Sequence, residues 1–221
     1  MKKAFSKFLL NILLFKIIRE LKNIMSIKDK EKWDAKYLEK SQLLRPRKPS
    51  RNLQEYIVHC NGVKALDLAC GAGRNSIFLA ECGFNVDALD IAQIAIKALE
   101  TDARSKNLLS KINARQVDLD IYKIKKEIYD LIIMTNFLDR TVLTSAMNAL
   151  KKDGILFVET YIVSDENEKK QSNADNLLKT QELKNMLDDS WKVLHHDEFE
   201  NEDYEIYKMK KQVIVAKKIS F

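Results

Sequence analysis

Ala65-Leu-Asp-Leu-Ala-Cys-Gly-Ala-Gly-Arg-Asn-Ser76 decides the fold of this chain. A short apolar run reads as a buried strand, a Gly-x-Gly turn follows it, and a stretch with helical spacing comes next. Gly71 and Gly73 let the backbone turn sharply and approach a ligand closely. Asp67 stands at the strand end, just before the glycines. Alone, Gly-x-Gly is equally a plain tight turn between strand and helix.

Further stretches follow in an ordered series. In Asn85-Val-Asp-Ala-Leu-Asp-Ile91, Asp90 ends a second strand 17 positions after Gly73. A carboxylate there accepts hydrogen bonds from both hydroxyls of a ribose. Asp87, inside the same strand, reads better as a strand-edge acid than as a second ribose contact. Val117-Asp-Leu-Asp120 follows the third strand. There Asp118 can accept from an adenine amino group, and the Leu119 N–H can donate to the ring. Thr135-Asn-Phe-Leu-Asp-Arg140 follows the strongly apolar fourth strand. It lacks the Asn-Pro-Pro-Tyr or Asp-Pro-Pro-Tyr clamp of enzymes that methylate base amines, and Asp139-Arg140 reads as an ion pair at a helix start. Asp67 can face an ammonium or a sulfonium, whereas it would repel a pyrophosphate. Ser76 stands where a dinucleotide fingerprint has its third glycine. Together these residues favour S-adenosylmethionine (SAM) over NAD.

Around these motifs, strands are expected at Ala65–Leu68, Asn85–Leu89, Asn113–Val117, Asp130–Met134, Ile155–Thr160, Trp191–His195 and Gln212–Ala216. Helical spacing is expected at 53–59, 75–82, 92–106, 140–151 and 180–189. Such alternation specifies an α/β fold, a Rossmann-like doubly wound, mainly parallel sheet with helices on both faces. Ligands bind such sheets at the carboxyl ends of the strands, where the strand order reverses.

Composition narrows the function classes. With 46% hydrophobic and 32% charged residues, 5 Gly and 2 Pro, the 221-residue chain reads as globular, not as a repeat or a disordered polymer. Cys60, Cys70 and Cys82 form no CxxC pair, which suits a reduced, cytoplasmic protein and no metal site. The formal charge of +6 is uneven: residues 1–25 hold six cations against Glu20, or +5, leaving +1 for the rest. A nearly neutral body is a poor match to a phosphate backbone, so nucleic acid is not expected as a partner.

Residues 1–25 read as a basic apolar helix or as a functionless leader. Asn11, Lys16, Arg19 and Glu20 interrupt the run of about 18 apolar residues that a spanning helix needs. No small-residue cleavage site follows it. A helix of this kind can lie on a membrane surface, pack on the domain, or pair with a second copy.

Residues 30 to 218 resemble the bacterial SAM-dependent methyltransferases related to tellurite-resistance methyltransferases. The resemblance is carried by Arg45-Pro-Arg-Lys-Pro-Ser50, by Ala65 to Asn75, by Val86-Asp-Ala-Leu-Asp90, Val117-Asp-Leu-Asp120, Phe137-Leu-Asp-Arg140 and Ala149-Leu-Lys-Lys-Asp-Gly154. The Gly loop with its Arg-Asn is the most specific of these. Lys151-Lys-Asp-Gly154 departs from the family's Lys-Pro-Gly-Gly, and Asn173-Ala-Asp-Asn-Leu-Leu178 from its Asn-Pro-x-Phe-Leu-Leu. The resemblance implies a class I methyltransferase domain over 26–221, with seven strands of which the last is antiparallel, and a small-molecule methyl acceptor. The expected donor residues are Asp67, Ala69, Gly71, Gly73, Arg74, Asn75, Asp90, Ile91, Asp118, Leu119 and Asn136. Acceptor-side candidates are Tyr37, Arg45, Arg47, Asn136, Tyr161 and His196. Each of those also has a bland reading as a solvated or core residue. Methyl transfer needs geometry and desolvation more than a catalytic triad, and a general base only if the nucleophile must lose a proton. A non-catalytic SAM-binding protein and an RNA methyltransferase are the alternatives.

Overall fold

The structure is a computed structural model that describes residues 26–169, 174–201, 205 and 207–220. The basic segment 1–25 lies outside the described residues. Helix α1 spans 26–39. It is followed by α2 (Arg51–Tyr56), β1 (Lys64–Leu68), α3 (Arg74–Glu81), β2 (Asn85–Asp90), α4 (Gln93–Ser105) and β3 (Ile112–Gln116). Then come β4 (Tyr129–Thr135), α5 (Arg140–Ala149), β5 (Leu150–Tyr161), α6 (Glu182–Asn185), β6 (Trp191–Glu200) and β7 (Lys210–Lys218).

The seven strands form one sheet in the order β3-β2-β1-β4-β5-β7-β6. Strands β1 to β5 run parallel, and β7 is antiparallel to both β5 and β6. The central strands are buried on both faces and therefore read as continuous apolar runs. Successive residues alternate between two cores. Leu131, Ile133, Ile155, Phe157, Val213 and Val215 pack with Leu53, Ile77 and Leu99 from α2, α3 and α4. Ile132, Met134, Leu156, Val158 and Ile214 pack with Val142, Leu143 and Ala146 of α5. The order reverses between β1 and β4, the position at which such sheets bind ligands.

Three elements differ from expectation. The helix expected to 151 ends at Ala149, because Leu150 turns extended and pairs with Tyr129 at a register shift. The helix expected over 180–189 is only Glu182–Asn185. Beyond it, Asp188 accepts from both the N–H and the hydroxyl of Ser190, a side-chain turn that competes with helix. The stretch 53–59 starts earlier, at Arg51. Ser50 caps it by accepting from the Leu53 N–H, and it tightens to a 3₁₀ turn at Ile57–His59.

Candidate donor site and the polar network beside it

The turn after β1 places three left-handed residues within five positions: Ala69 (φ 55°), Gly71 (φ 55°) and Gly73 (φ 81°). The two glycines are required for different reasons. A Cβ on Gly71 would stand 2.8 Å from the Tyr37 hydroxyl, so α1 closes over the loop there. A Cβ on Gly73 would lie 2.1 Å from Leu99 Cδ1, so α3 and α4 approach only over a glycine. The loop is fastened by Cys70 N–H donating to the Leu89 carbonyl and Gly73 N–H donating to the Cys70 carbonyl.

Two buried carboxylates flank this loop. Asp90 accepts from Gly71 N–H through Oδ2 at 2.7 Å and from Ala92 N–H through Oδ1 at 2.8 Å. Burial pushes its carboxyl up, and those backbone donors pull it back. Each oxygen keeps a second lone pair for a ligand hydroxyl. Asp67 accepts from the Ser76 hydroxyl at 2.6 Å through Oδ2, while its buried Oδ1 has no hydrogen-bond donor. Burial raises the Asp67 carboxyl to about 7, against the pull of Ser76. Ser76, which stands in the place of a third glycine, is therefore the partner of Asp67. The chain after β3 reaches the same edge, with Val117 N–H donating to the Asp90 carbonyl. There Asp118 accepts from Asp120 N–H, and Leu119 is partly buried against the α5 core.

Asn136 follows β4 in a left-handed conformation (φ 56°), a strained choice for a non-glycine residue. Its N–H donates to the Glu159 carbonyl, and its buried Oδ1 accepts no hydrogen bond. Asn75 bonds two ways: its Nδ2 donates to Thr135 Oγ1 at 3.0 Å, and its Oδ1 accepts from Ser50 N–H at 3.0 Å. The Ser50 hydroxyl donates to Glu159 Oε2 at 2.7 Å, joined there by Asn52 Nδ2 at 3.1 Å. Lys211 Nζ lies 3.7 Å from Glu159 Oε1 and 2.5 Å from Glu205 Oε1, and the Tyr161 hydroxyl donates to Glu205 at 2.7 Å. Glu159 and Lys211 are both 0% exposed. A buried Glu–Lys pair of this kind costs desolvation that apolar residues would avoid. The network runs from the start of α3 to the carboxyl end of β5. Ser50, Thr135, Glu159, Glu205 and Lys211 were not legible as site residues. The only local sign is a lone acid or lysine at the end of an apolar run.

The structure gathers most of the expected residues and leaves His196 apart. Asp67, Ala69, Gly71, Gly73, Arg74, Asn75, Asp90 and Ile91 lie in or next to the loop and the end of β2. Tyr37, expected on the acceptor side, sits against Gly71, and burial with the nearby Asp90 raises its hydroxyl. Arg45 and Arg47 line a cleft of about 140 Å³ with Ala72 and Arg74. Tyr161 belongs to the Lys211 network. His196 pairs with Ile214 from edge strand β6, is lowered by burial, and does not join the site. His195 instead stacks on Tyr56, at 4.4 Å between rings. Asp87 accepts from Tyr129 and Asn113, as a structural acid would. The Asp139 side chain caps α5 by accepting from Val142 N–H, and Arg140 pairs with Glu182 at 2.6 Å. Among the described residues, no group of His, Cys, Asp or Glu is placed to hold a metal. No described helix is long and apolar enough to cross a membrane.

The sequence and fold of this chain resemble those of known methyltransferases. It is 30% identical over 115 residues to the ribosomal protein L11 methyltransferase of Ruminiclostridium cellulolyticum, covering 51% of this chain and 35% of that protein. It is 28% identical over 110 residues to the ubiquinone biosynthesis O-methyltransferase of Rickettsia akari, covering 48% and 43%. The chain thus spans less than half the length of these curated relatives. The crystal structure of TehB from Haemophilus influenzae matches with a TM-score of 0.67 at 22% identity, over 77% of this chain and 62% of that one. That likeness bears on the fold, a Rossmann-like methyltransferase fold with the strand order found here. A sequence model of one family, described as tellurite resistance protein TehB, matches residues 25–214. That match spans most of the sequence, and the chain belongs to this family.

Proposed function

We propose that this chain transfers the methyl group of SAM to a small-molecule acceptor by in-line displacement. The observation that carries the proposal is the pair of buried carboxylates, Asp67 and Asp90, on either side of a left-handed glycine turn. The residues present fit the donor. Asp67 Oδ1 is a buried acceptor without a donor, suited to an ammonium. Asp90 has lone pairs to spare for ribose hydroxyls. Asp118 and the Leu119 N–H suit an adenine edge. Gly71, Gly73 and the Ala69 carbonyl suit close approach of the methionine part, with Arg74, Asn75 and Ile91 beside them. When bound, SAM supplies an electrophilic methyl carbon on a sulfonium leaving group.

The work left to the protein is orientation and exclusion of water. Tyr37 and α1 cover the loop. Asn136, at the carboxyl end of β4, carries an unsatisfied Oδ1 that can orient an acceptor N–H or O–H. The name of the Rickettsia akari relative, an O-methyltransferase of ubiquinone biosynthesis, supports a small acceptor. Transfer of radiolabel from methyl-labelled SAM into a metabolite extract, with and without added RNA, tests the proposal. Label in small molecules supports it. SAM binding with no transfer would identify a non-catalytic binder, and label only in RNA would replace the acceptor class.

A further inference from the structure

Two lysines at the end of α1, Lys36 and Lys40, meet a third from a distant part of the chain, Lys169, around the Tyr207 and Trp33 rings. Helix α1 sets Tyr37 over Gly71, and its neighbours Lys36 and Lys40 face another way. Lys36 Nζ lies 3.9 Å from the centre of the Trp33 ring. Lys40 Nζ is 5.9 Å from the Tyr207 ring, and Lys169 Nζ is 5.7 Å from the same ring. Tyr207 and Lys169 sit beyond the carboxyl end of β5 and the start of β7. There, residues 162–168 are fastened to 208–210 by Ile162 N–H to the Lys210 carbonyl, Glu168 N–H to the Lys208 carbonyl, and Lys210 N–H to Asn167 Oδ1.

This grouping costs the unliganded protein something. Lys36 is half-buried and is held down to about 8, first by burial and then by Lys169, Lys40 and Lys32. Two of the acids close by in sequence, Asp34 and Glu168, are engaged elsewhere, while Glu31 and Glu39 on the same helix are exposed. Asp34 accepts from Lys30 and from Ile94 N–H, and Glu168 accepts from Lys208 N–H. Here a recessed cation, two flanking cations and two aromatic rings gather beside the carboxyl end of β5. An anion among them would relieve their repulsion, and the rings suit a flat apolar body.

We propose that Lys36, Lys40 and Lys169, with the rings of Trp33 and Tyr207, form an entry subsite for an organic acceptor bearing a carboxylate or phosphate group. This rests on the methyltransferase reading for what happens next, but the subsite itself can be tested without it. Three probes share one ring: benzoate, phenyl phosphate and neutral benzyl alcohol. Titration calorimetry of the full chain near pH 8, in two buffers of different ionisation enthalpy, should show binding of one or both anions but not of the alcohol. Proton uptake should accompany it, since an anion restores the Lys36 charge. Preference between the two anions names the group. Lys36→Met with Lys169→Met should weaken anion binding by roughly tenfold or more and abolish the uptake. Binding of S-adenosylhomocysteine (SAH) by the same variant should be unchanged.

Equal anion binding by wild type and variant, binding without uptake, or no anion binding would overturn the subsite. Loss of SAH binding in the variant would also overturn it, by assigning the lysines to the donor. Flotation with phosphatidylglycerol vesicles that the same substitutions abolish, without binding of the soluble anions, would reassign the patch to a membrane surface. If the anions bind as expected while wild type fails to bind SAH, the subsite stands and the methyltransferase reading falls.

Discussion

At the scale of single residues, Asp67 is the most informative group. Its carboxyl is raised to about 7 in the fold, against about 3.9 in an unfolded chain. Between those two pH values the native state binds more protons than the unfolded state. The Asp67 contribution to stability is therefore present at low pH and lost as pH rises from about 4 to about 7. The melting temperature of the unliganded protein should fall across that window, and Asp67→Asn should flatten the fall. Asp90 is raised in the same sense, so some slope remains. A ligand ammonium against Asp67 favours the ionised form, so SAH binding near pH 6.5 should release protons. Proton uptake on binding, or an unchanged slope in the variant, would contradict this role. Two neighbours give simpler tests. Asp90→Ala should leave the fold intact and weaken SAH binding by roughly 1.5–3 kcal/mol, the range for a charged hydrogen-bond partner. Gly73→Ala forces a methyl against buried Leu99 at positive φ, and should lower stability by roughly 1–3 kcal/mol in urea titration.

At the scale of elements, α1 and the start of β7 carry predictions that no single motif suggests. Helix α1 contributes the Tyr37 cover and Asp34, whose Oδ1 accepts from Ile94 N–H in the first turn of α4. Trp33, Tyr37 and Leu44 pack with Ala92 and Ala95 in a small core of their own. A chain beginning at Ser26 should fold and bind SAH like the full chain, whereas one beginning at Ser41 should lose SAH binding. Equal binding by both would show that α1 is no part of the pocket. Lys211→Met leaves Glu159 and Glu205 as unpaired carboxylates, one of them fully buried, and should cost roughly 3–5 kcal/mol in chemical denaturation. Elements were legible where the local pattern is unambiguous, as a short continuous apolar run or a Gly turn. The central strands are apolar on both faces, and the Gly loop marks its own turn. The pieces that were not legible depend on contacts distant in sequence. Ser50, Glu159 and Lys211 are ordinary polar residues until the sheet brings them together, and Tyr37, expected on the acceptor side, meets Gly71 only once α1 docks. The helix expected over 180–189 was overruled by the local Asp188–Ser190 turn, whose side-chain bonds outweigh helical spacing.

At the scale of the whole molecule, the glycine loop, both carboxylates and Asn136 lie at the carboxyl ends of the central strands β1, β2 and β4, at the reversal of strand order between β1 and β4. The edge strand β6 holds His195 and His196 away from it. On the proposed function, β1 and β2 would hold the donor and β4, β5 and β7 would face the acceptor, with α1 and the segment Arg45–Ser50 beside both. The account stands or falls on what those strand ends bind. Isothermal titration of the full chain with SAH and, separately, with NAD tests it most directly. Saturable binding of SAH, weakened in Asp90→Ala, with no heat from NAD, is the predicted result. Binding of NAD with none of SAH would contradict the donor site and the function built on it.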